Sequence, residues 1–178
     1  MRTDHRAHVL IDAIKEHRID PKRICEIGVH RGKATKKLRA AFPKANLLLV
    51  DPWLYDPKER DRIQLGTSQQ TWDWYYRKIC KKYHKHRILR CTGQEAALIV
   101  GGKVDVVFID APIGYDGMIE MLNLWVPKVR TPGLVAGHDW HQGRTRYAGQ
   151  TRAIKELLTD VQHGPETVWW WYKGQECE

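Results

Sequence analysis

At 178 residues the chain has the length of one domain with room for a proper core, and its 42% apolar and 29% charged content is that of an ordinary globular protein. No apolar run approaches the roughly 20 residues a membrane-spanning helix needs, and the opening Met1-Arg2-Thr3-Asp4-His5-Arg6 lacks the apolar stretch of a secretory signal. A net charge of +9 leaves room for an anionic partner.

Residues 4–17 read as an amphipathic helix, with Val9, Leu10, Ala13 and Ile14 on one side. Pro21 separates it from a first strand at 23–29. That strand runs into Gly28 and Gly32, four residues apart, and a helix at 33–41 follows at once. In a strand, glycine turn and helix arranged this way, the backbone can approach a nucleotide-like ligand closely, and the first free N–H groups of the helix point at it. Phe42-Pro43-Lys44 turns into a second strand at 46–51. Its run Leu47 to Val50 is continuously apolar, as in a strand buried on both faces, and Asp51 is the first charge after it.

Residues 52–86 are the least regular part. Tyr55-Asp56-Pro57 and Leu65-Gly66 read as loop, and Thr67 with Gln70 has capping-box spacing. Trp72, Tyr75, Tyr76, Ile79 and Tyr83 then recur at helical spacing. Such an aromatic stripe is ordinary core material. Its place directly after Asp51 makes 52–86 a candidate lid or insert. Basic residues concentrate from Arg77-Lys78 through Lys81-Lys82, Lys85, Arg87 and Arg90, and by itself such a run is a solvated helix face.

A third strand is expected at 87–91, then a short helix opened by Thr92 and Glu95, again at capping-box spacing. The fourth strand, 104–110, ends on Asp110. Helix 115–126 turns Met118, Ile119, Leu122, Trp125 and Val126 inward. Pro132-Gly133 turns into a fifth strand, 134–137, which ends on His138-Asp139. A last helix covers 147–160, and Thr167 to Tyr172 is a strongly β-prone close. The four cysteines, Cys25, Cys80, Cys91 and Cys177, show no paired spacing and read as free thiols of a reducing compartment, hence a cytoplasmic protein.

Strands alternating with helices predict an α/β fold. It is a single domain over 1–178 with a Rossmann-like doubly wound sheet, mostly parallel with an antiparallel C-terminal strand. Ligands of such open sheets bind beyond the carboxyl ends of the strands. Those ends carry Glu26 to Gly32, Asp51, Thr92 to Glu95, Asp110 and His138-Asp139. The opposite ends are Pro- and Lys-rich turns.

With these residues in place, the chain resembles a class I S-adenosylmethionine-dependent methyltransferase from about residue 22 onward, in its small-molecule O-methyltransferase-like branch. Glu26-Ile-Gly28-Val-His30-Arg-Gly32 is similar to the acidic-x-Gly-x-x-x-Gly motif, with His30 where a third glycine often sits. Asp51 takes the acidic position ending the second strand. Phe108-Ile109-Asp110-Ala111 with Tyr115-Asp116-Gly117 resembles the fourth-strand motif, and Thr131-Pro132-Gly133 through His138-Asp139-Trp140 resembles that branch's turn and terminal His-Asp. One departure is clear: Pro112 and Ile113 stand where relatives often carry a histidine.

The resemblance implies S-adenosylmethionine as cofactor, with Glu26, Gly28, His30, Gly32, Asp51, Trp53, Gly93, Gln94 and Asp110 as its candidate contacts. Glu26 orders the loop more than it touches the ligand. Asp51 would accept the ribose hydroxyls, and Gly93 and Gln94 would border the adenine. Asp110, His138 and Asp139 are the catalytic candidates. Methyl transfer from a sulfonium is a displacement in which alignment matters most. A hydroxyl acceptor must also lose its proton, either to His138 or with help from Mg²⁺ or a similar divalent cation on Asp110, Asp139 and His138.

The expected acceptor is a small-molecule hydroxyl. The second reading is a nucleic-acid methyltransferase, encouraged by the charge and by the aromatic-basic segment 72–90. The third is a silent cofactor-fold protein that binds a partner. A phosphate-binding P-loop at Gly28 to Lys33 fails because Ala34 replaces the Ser or Thr. Zinc at Cys80, His84, His86 and Cys91 fails on spacing. Asp110-Ala111-Pro112-Ile113 lacks the second proline and the stacking aromatic that would grip a flipped base.

Overall fold

The computed structural model describes residues 5–55, 68–111, 113–141 and 148–174. The expected alternation is present. In chain order the elements are α1 (Arg6–Glu16), β1 (Arg23–Ile27), α2 (Lys33–Ala41), β2 (Asn46–Val50), α3 (Gln69–Lys82), β3 (Arg87–Leu89), α4 (Gly93–Ile99), β4 (Val104–Ile109), α5 (Tyr115–Trp125), β5 (Val129–Gly137), α6 (Ala148–Leu157), β6 (Gln162–His163) and β7 (Trp169–Lys173). Seven strands form one sheet in the order β3-β2-β1-β4-β5-β7-β6. The pairs β3-β2, β2-β1, β1-β4 and β4-β5 are parallel, and β7 pairs antiparallel with both β5 and β6.

Helices cover both faces, as the continuously apolar strands require. Every residue of β4 is buried, and its alternate side chains feed two cores. On one face Val106 and Phe108 pack with α1, α2 and the inner side of α3, through Leu10, Ile14, Leu38, Ile79 and Tyr83. On the other, Val107 and Ile109 meet α4, α5 and α6 through Ala96, Met121, Trp125 and Ile154. Burial at these positions contributes roughly 1.5–3 kcal/mol for each large side chain.

Local signals account for most boundaries. The box at Thr92 and Glu95 forms: Thr92 Oγ1 accepts from the Glu95 N–H, and the Glu95 carboxylate accepts from the Thr92 N–H. At the sheet's lower edge, Asp105 gathers the N–H groups of Lys22 (2.8 Å) and Arg23 (2.7 Å) on one oxygen, with Arg130 3.2 Å from the other.

The structure differs from the expected elements in detail, and β1 and β3 end earlier than expected, at Ile27 and Leu89. The fifth strand begins at Val129 and not at Leu134, because the turn at Pro132-Gly133 is absorbed as a bulge: Val104 faces Val129, yet Val106 already faces Leu134. The two-residue strand β6, which pairs with Trp169 and Trp170, is too short to show alternation in sequence. Helix α6 is shorter than 147–160, ending at Leu157. The loops at Asp56-Pro57 and Leu65-Gly66, the Thr67 cap, Pro112 and Cys177 lie outside the described residues. Cys25, Cys80 and Cys91 are free thiols. Among the described residues no helix is long and apolar enough to cross a membrane.

Candidate active site

The carboxyl edge of the sheet is assembled by backbone bonds between neighbouring strand ends. The Gly28 N–H donates to Val50 O (2.8 Å), Asp51 to Leu89 O (3.2 Å), Asp110 to Ile27 O (2.8 Å) and His138 to Ile109 O (3.1 Å). Each candidate residue is therefore the first or second after its strand, held by the strand beside it.

Gly28 has φ +94°, and a Cβ there would sit 2.0 Å from the carbonyl oxygen of Asp110. The backbone at Asp110, just past β4, itself demands glycine at this position, whatever ligand lies above. Gly32, the N-cap of α2 at φ 71°, is similarly confined: its Cβ would lie 2.5 Å from Ile79 Cδ1. Between them the loop is locked to β2. The carboxylate of Asp51 accepts from the His30 N–H (2.8 Å) and the Trp53 N–H (2.6 Å), and Trp53 Nε1 donates back to His30 O (3.0 Å). His30 and Trp53 take positive φ, 48° and 42°. Backbone strain of this kind costs on the order of 1–3 kcal/mol per residue and persists only where the surroundings over-determine it. Burial raises the pKa of Asp51, only partly offset by its two N–H donors, and nearby Asp110 raises it further.

Glu26 is buried and accepts from Thr35 Oγ1 at 2.6 Å, tying β1 to α2. Gly93 faces the core, where a Cβ would meet Met121 and Ile27, and its carbonyl accepts from Trp125 Nε1 (3.0 Å). Gln94 points its amide at Glu120 (3.2 Å). The structure thus brings Asp51, His30 and Trp53 into one unit, whereas the side chains of Glu26 and Gln94 are engaged elsewhere.

Asp110, His138 and Asp139 come together as expected. His138 Nδ1 lies 2.9 Å from Asp139 Oδ1 and 3.5 Å from Asp110 Oδ1. Its Nε2 is 3.1 Å from Thr167 Oγ1, and its carbonyl accepts from Gln150 Nε2 (2.9 Å). Asp139 has φ 64°. A further member comes from the other end of the chain: Arg6 Nη1 is 3.2 and 3.0 Å from the two carboxylate oxygens of Asp110. Nothing local marks Arg6 in sequence, since it looks like any polar residue opening an amphipathic helix.

The other wall is α3. Gln69 Nε2 donates to Trp53 O (2.9 Å), and its Oε1 accepts from the Tyr55 N–H (2.9 Å). Arg90, beyond β3, is ion-paired with Asp73 and also donates to Trp53 O (3.2 Å). The His30 ring packs against Trp72 and Tyr75, with centroids 5.3 and 5.5 Å apart. Residues 69–82 of the expected lid are accordingly a helix fastened at several points over the Gly28–Gly32 turn. A cavity of about 540 Å³ lies on the outer surface of α5 and α6, and none of the candidate residues lines it.

Comparison with known proteins agrees with this geometry. A family model described as a methyltransferase domain matches residues 25–140. A search of curated protein sequences gives no match. Among solved structures, a candidate caffeoyl-CoA O-methyltransferase from Staphylococcus aureus superposes with TM-score 0.68 at 14% identity, over 98% of this chain and 85% of its own. The methyltransferase PaMTH1 of Podospora anserina, solved with S-adenosylhomocysteine bound, gives 0.65 at 17% identity, over 99% and 80%. A candidate O-methyltransferase from Klebsiella pneumoniae gives 0.66 at 14% identity, over 98% and 82%. At such identities these likenesses show the fold, and the matched model spans more than half of the chain. The chain belongs to the class I S-adenosylmethionine-dependent methyltransferase family.

Proposed function

We propose that the protein transfers the methyl group of S-adenosylmethionine to a hydroxyl of a small molecule. The observation that carries this reading is the cluster of His138, Asp110 and Asp139 on two adjacent strand ends, beside the glycine turn of β1. The O-methyltransferases among the structural neighbours lend it support.

The residues present suit the cofactor. Asp51 offers a buried carboxylate already oriented by two N–H groups, with lone pairs left for ribose hydroxyls. The turn from Gly28 to Gly32 would hold the methionine part, and the backbone at Gly93-Gln94 would edge the adenine. The cofactor supplies an electrophilic methyl on sulfur. The rest falls to this chain: fixing the acceptor oxygen in line and removing its proton. With its Nδ1 proton donated to Asp139, His138 can take up a proton at Nε2, and Thr167 then turns its hydroxyl to accept. The two aspartates stabilise the imidazolium so formed.

A divalent cation on Asp110, Asp139 and His138 fits the arrangement poorly. The Arg6 guanidinium covers both oxygens of Asp110, and His138 Nδ1 faces carboxylates as a donor would. Among the described residues no three His, Cys, Asp or Glu side chains group to hold a metal ion. No step is therefore routed through a metal. The free thiols support a reducing compartment, which we read as the cytoplasm. Calorimetry with S-adenosylhomocysteine, followed by methyl transfer to a panel of hydroxylated aromatics and sugars, tests the reading. Absence of cofactor binding overturns it; binding with transfer lost in His138→Ala supports it.

A further inference from the structure

The charge of this chain is segregated. Segments 31–44 and 77–90 carry thirteen of the 30 lysines and arginines and none of the 21 aspartates and glutamates. The seventeen basic residues elsewhere are outnumbered by those 21 acids, so the whole positive balance resides in these two stretches. Far apart in sequence, they are joined in the fold. Ala34 and Leu38 of α2 share a core with Ile79 of α3 and Tyr83 at its C-terminal end, and Arg31 lies over the Tyr75 ring at 4.8 Å.

From this geometry we propose that the outer face of α2 and α3 is a docking surface for a nucleic-acid strand, separate from the methyl-acceptor site. Lys33, Lys36, Lys78, Lys81 and Lys82 are exposed. Within α3, Arg77 and Lys81, and Lys78 and Lys82, stand four residues apart, as do Lys33 and Lys37 in α2. Like charges at that spacing repel along a helix. Within α2 and α3 relief from acids is missing: α2 has no acidic residue, and Asp73, the one acidic residue of α3, is taken by Arg90. A surface serving only solubility mixes the two signs. This one accumulates repulsion that a row of phosphates would remove, with release of the phosphates' own counterions.

The aromatic content of the face selects among polyanions. Trp74 is 47% exposed on α3, with Lys78 Nζ 3.7 Å from its ring centroid. An exposed ring among cations suits a base to stack on and a phosphate to pair with. A membrane surface calls instead for a wider apolar stripe. Among the described residues Trp74 is the sole large apolar side chain exposed on α2 or α3.

Fluorescence anisotropy with a labelled 20-nucleotide oligouridylate and a 20-base-pair duplex tests the proposal. Binding should weaken steeply with salt, with a log–log slope of about −3 or steeper on the single strand, the mark of four or more phosphates. The triple change Lys78→Glu, Lys81→Glu and Lys82→Glu should cut affinity at least about tenfold. Lys15→Glu, Lys103→Glu and Lys155→Glu together change net charge equally and should cost far less. Calorimetry with S-adenosylhomocysteine reads the other site, so either reading can fail alone. If the reversal upsets folding, the same three lysines changed to glutamine should shallow the slope by about 2. The proposal is overturned by equal losses in both triple variants, by no oligonucleotide binding in 50 mM salt (about the low end of the usual range), or by binding confined to phosphatidylserine vesicles.

Discussion

Arg6 and Asp110 are 104 positions apart, yet Arg6 Nη1 bonds both carboxylate oxygens of Asp110, at 3.0 and 3.2 Å. The N-terminal helix thus places a fixed positive charge where two aspartates meet one histidine. If that guanidinium does the work of a cation, Mn²⁺ should bind the wild-type protein weakly. Arg6→Ala should expose the carboxylates and tighten Mn²⁺ binding, readable by electron paramagnetic resonance, by about tenfold or more for the like-charge repulsion it leaves behind. Tight Mn²⁺ binding by the wild type, lost in Asp110→Asn, would restore the metal to the site.

The proposed role of Asp51 predicts a pH dependence of cofactor binding. Its folded pKa is raised by burial, so the ionised form carries a cost to the fold above that pKa, relieved as the pH falls through it. Acid unfolding does not begin here. If the ribose hydroxyls bind this carboxylate, as proposed, affinity for S-adenosylhomocysteine should be full above the raised pKa and decline as the pH drops through it. The decline should start above the ordinary carboxylate range. Asp51→Asn should flatten the profile and lower affinity at neutral pH by roughly 1.5–3 kcal/mol, the worth of hydrogen bonds to a charge. An unchanged profile in that variant would take Asp51 out of the cofactor's reach.

Gly28→Ala should be severe, and first as a folding defect. Its Cβ has no room beside the Asp110 carbonyl, and φ +94° is strained for alanine. A loss of several kcal/mol is expected, near the large end for single substitutions. Urea titration measures it. Full stability with lost cofactor binding would mean that the glycine serves the ligand alone.

Asp105 is a structural counterpart away from the site. Asp105→Ala leaves the N–H groups of Lys22 and Arg23 without their acceptor. The expected cost is about 2–4 kcal/mol, with cofactor affinity retained. Loss of affinity in a protein of normal stability would contradict this division of labour.

The fastening of α3 bears on the lid expected from its irregular surroundings. Hydrogen exchange across residues 69–82 should be similar with and without S-adenosylhomocysteine, because Gln69, Asp73 and Arg90 already tie the helix to Trp53. Strong added protection on binding would show a cover that closes.

Much of this architecture was legible because one face of each element announces itself. The runs Leu47–Val50 and Val106–Ile109 suit strands buried on both faces, which they are, and the polar residues collecting after them lie at the carboxyl edge of the sheet. The pairing of His138 with Asp110 and Asp139 follows from adjacent strand ends. Arg6 was out of reach because nothing in a helix's first turn says which strand lies across from it. The partners of Asp51 were hidden too, being backbone N–H groups that any residue would provide. Gly28 suggests a ligand in sequence, but its tightest neighbour is the carbonyl of Asp110, just past β4.

The four N–H bonds by which Gly28, Asp51, Asp110 and His138 hang from the adjoining strands have a consequence for how this edge can vary. Those amides should exchange with solvent only when the sheet itself opens, so the first residue of each loop shares the lifetime of the core. Beyond that residue the chain is released from the ladder. Loop exchange between relatives should then succeed when the splice falls after these four positions and fail when it falls before them. At the Asp110 and His138 ends, such exchange would rewrite the acceptor side while leaving in place the Gly28–Gly32 turn and Asp51 that are proposed to hold the cofactor.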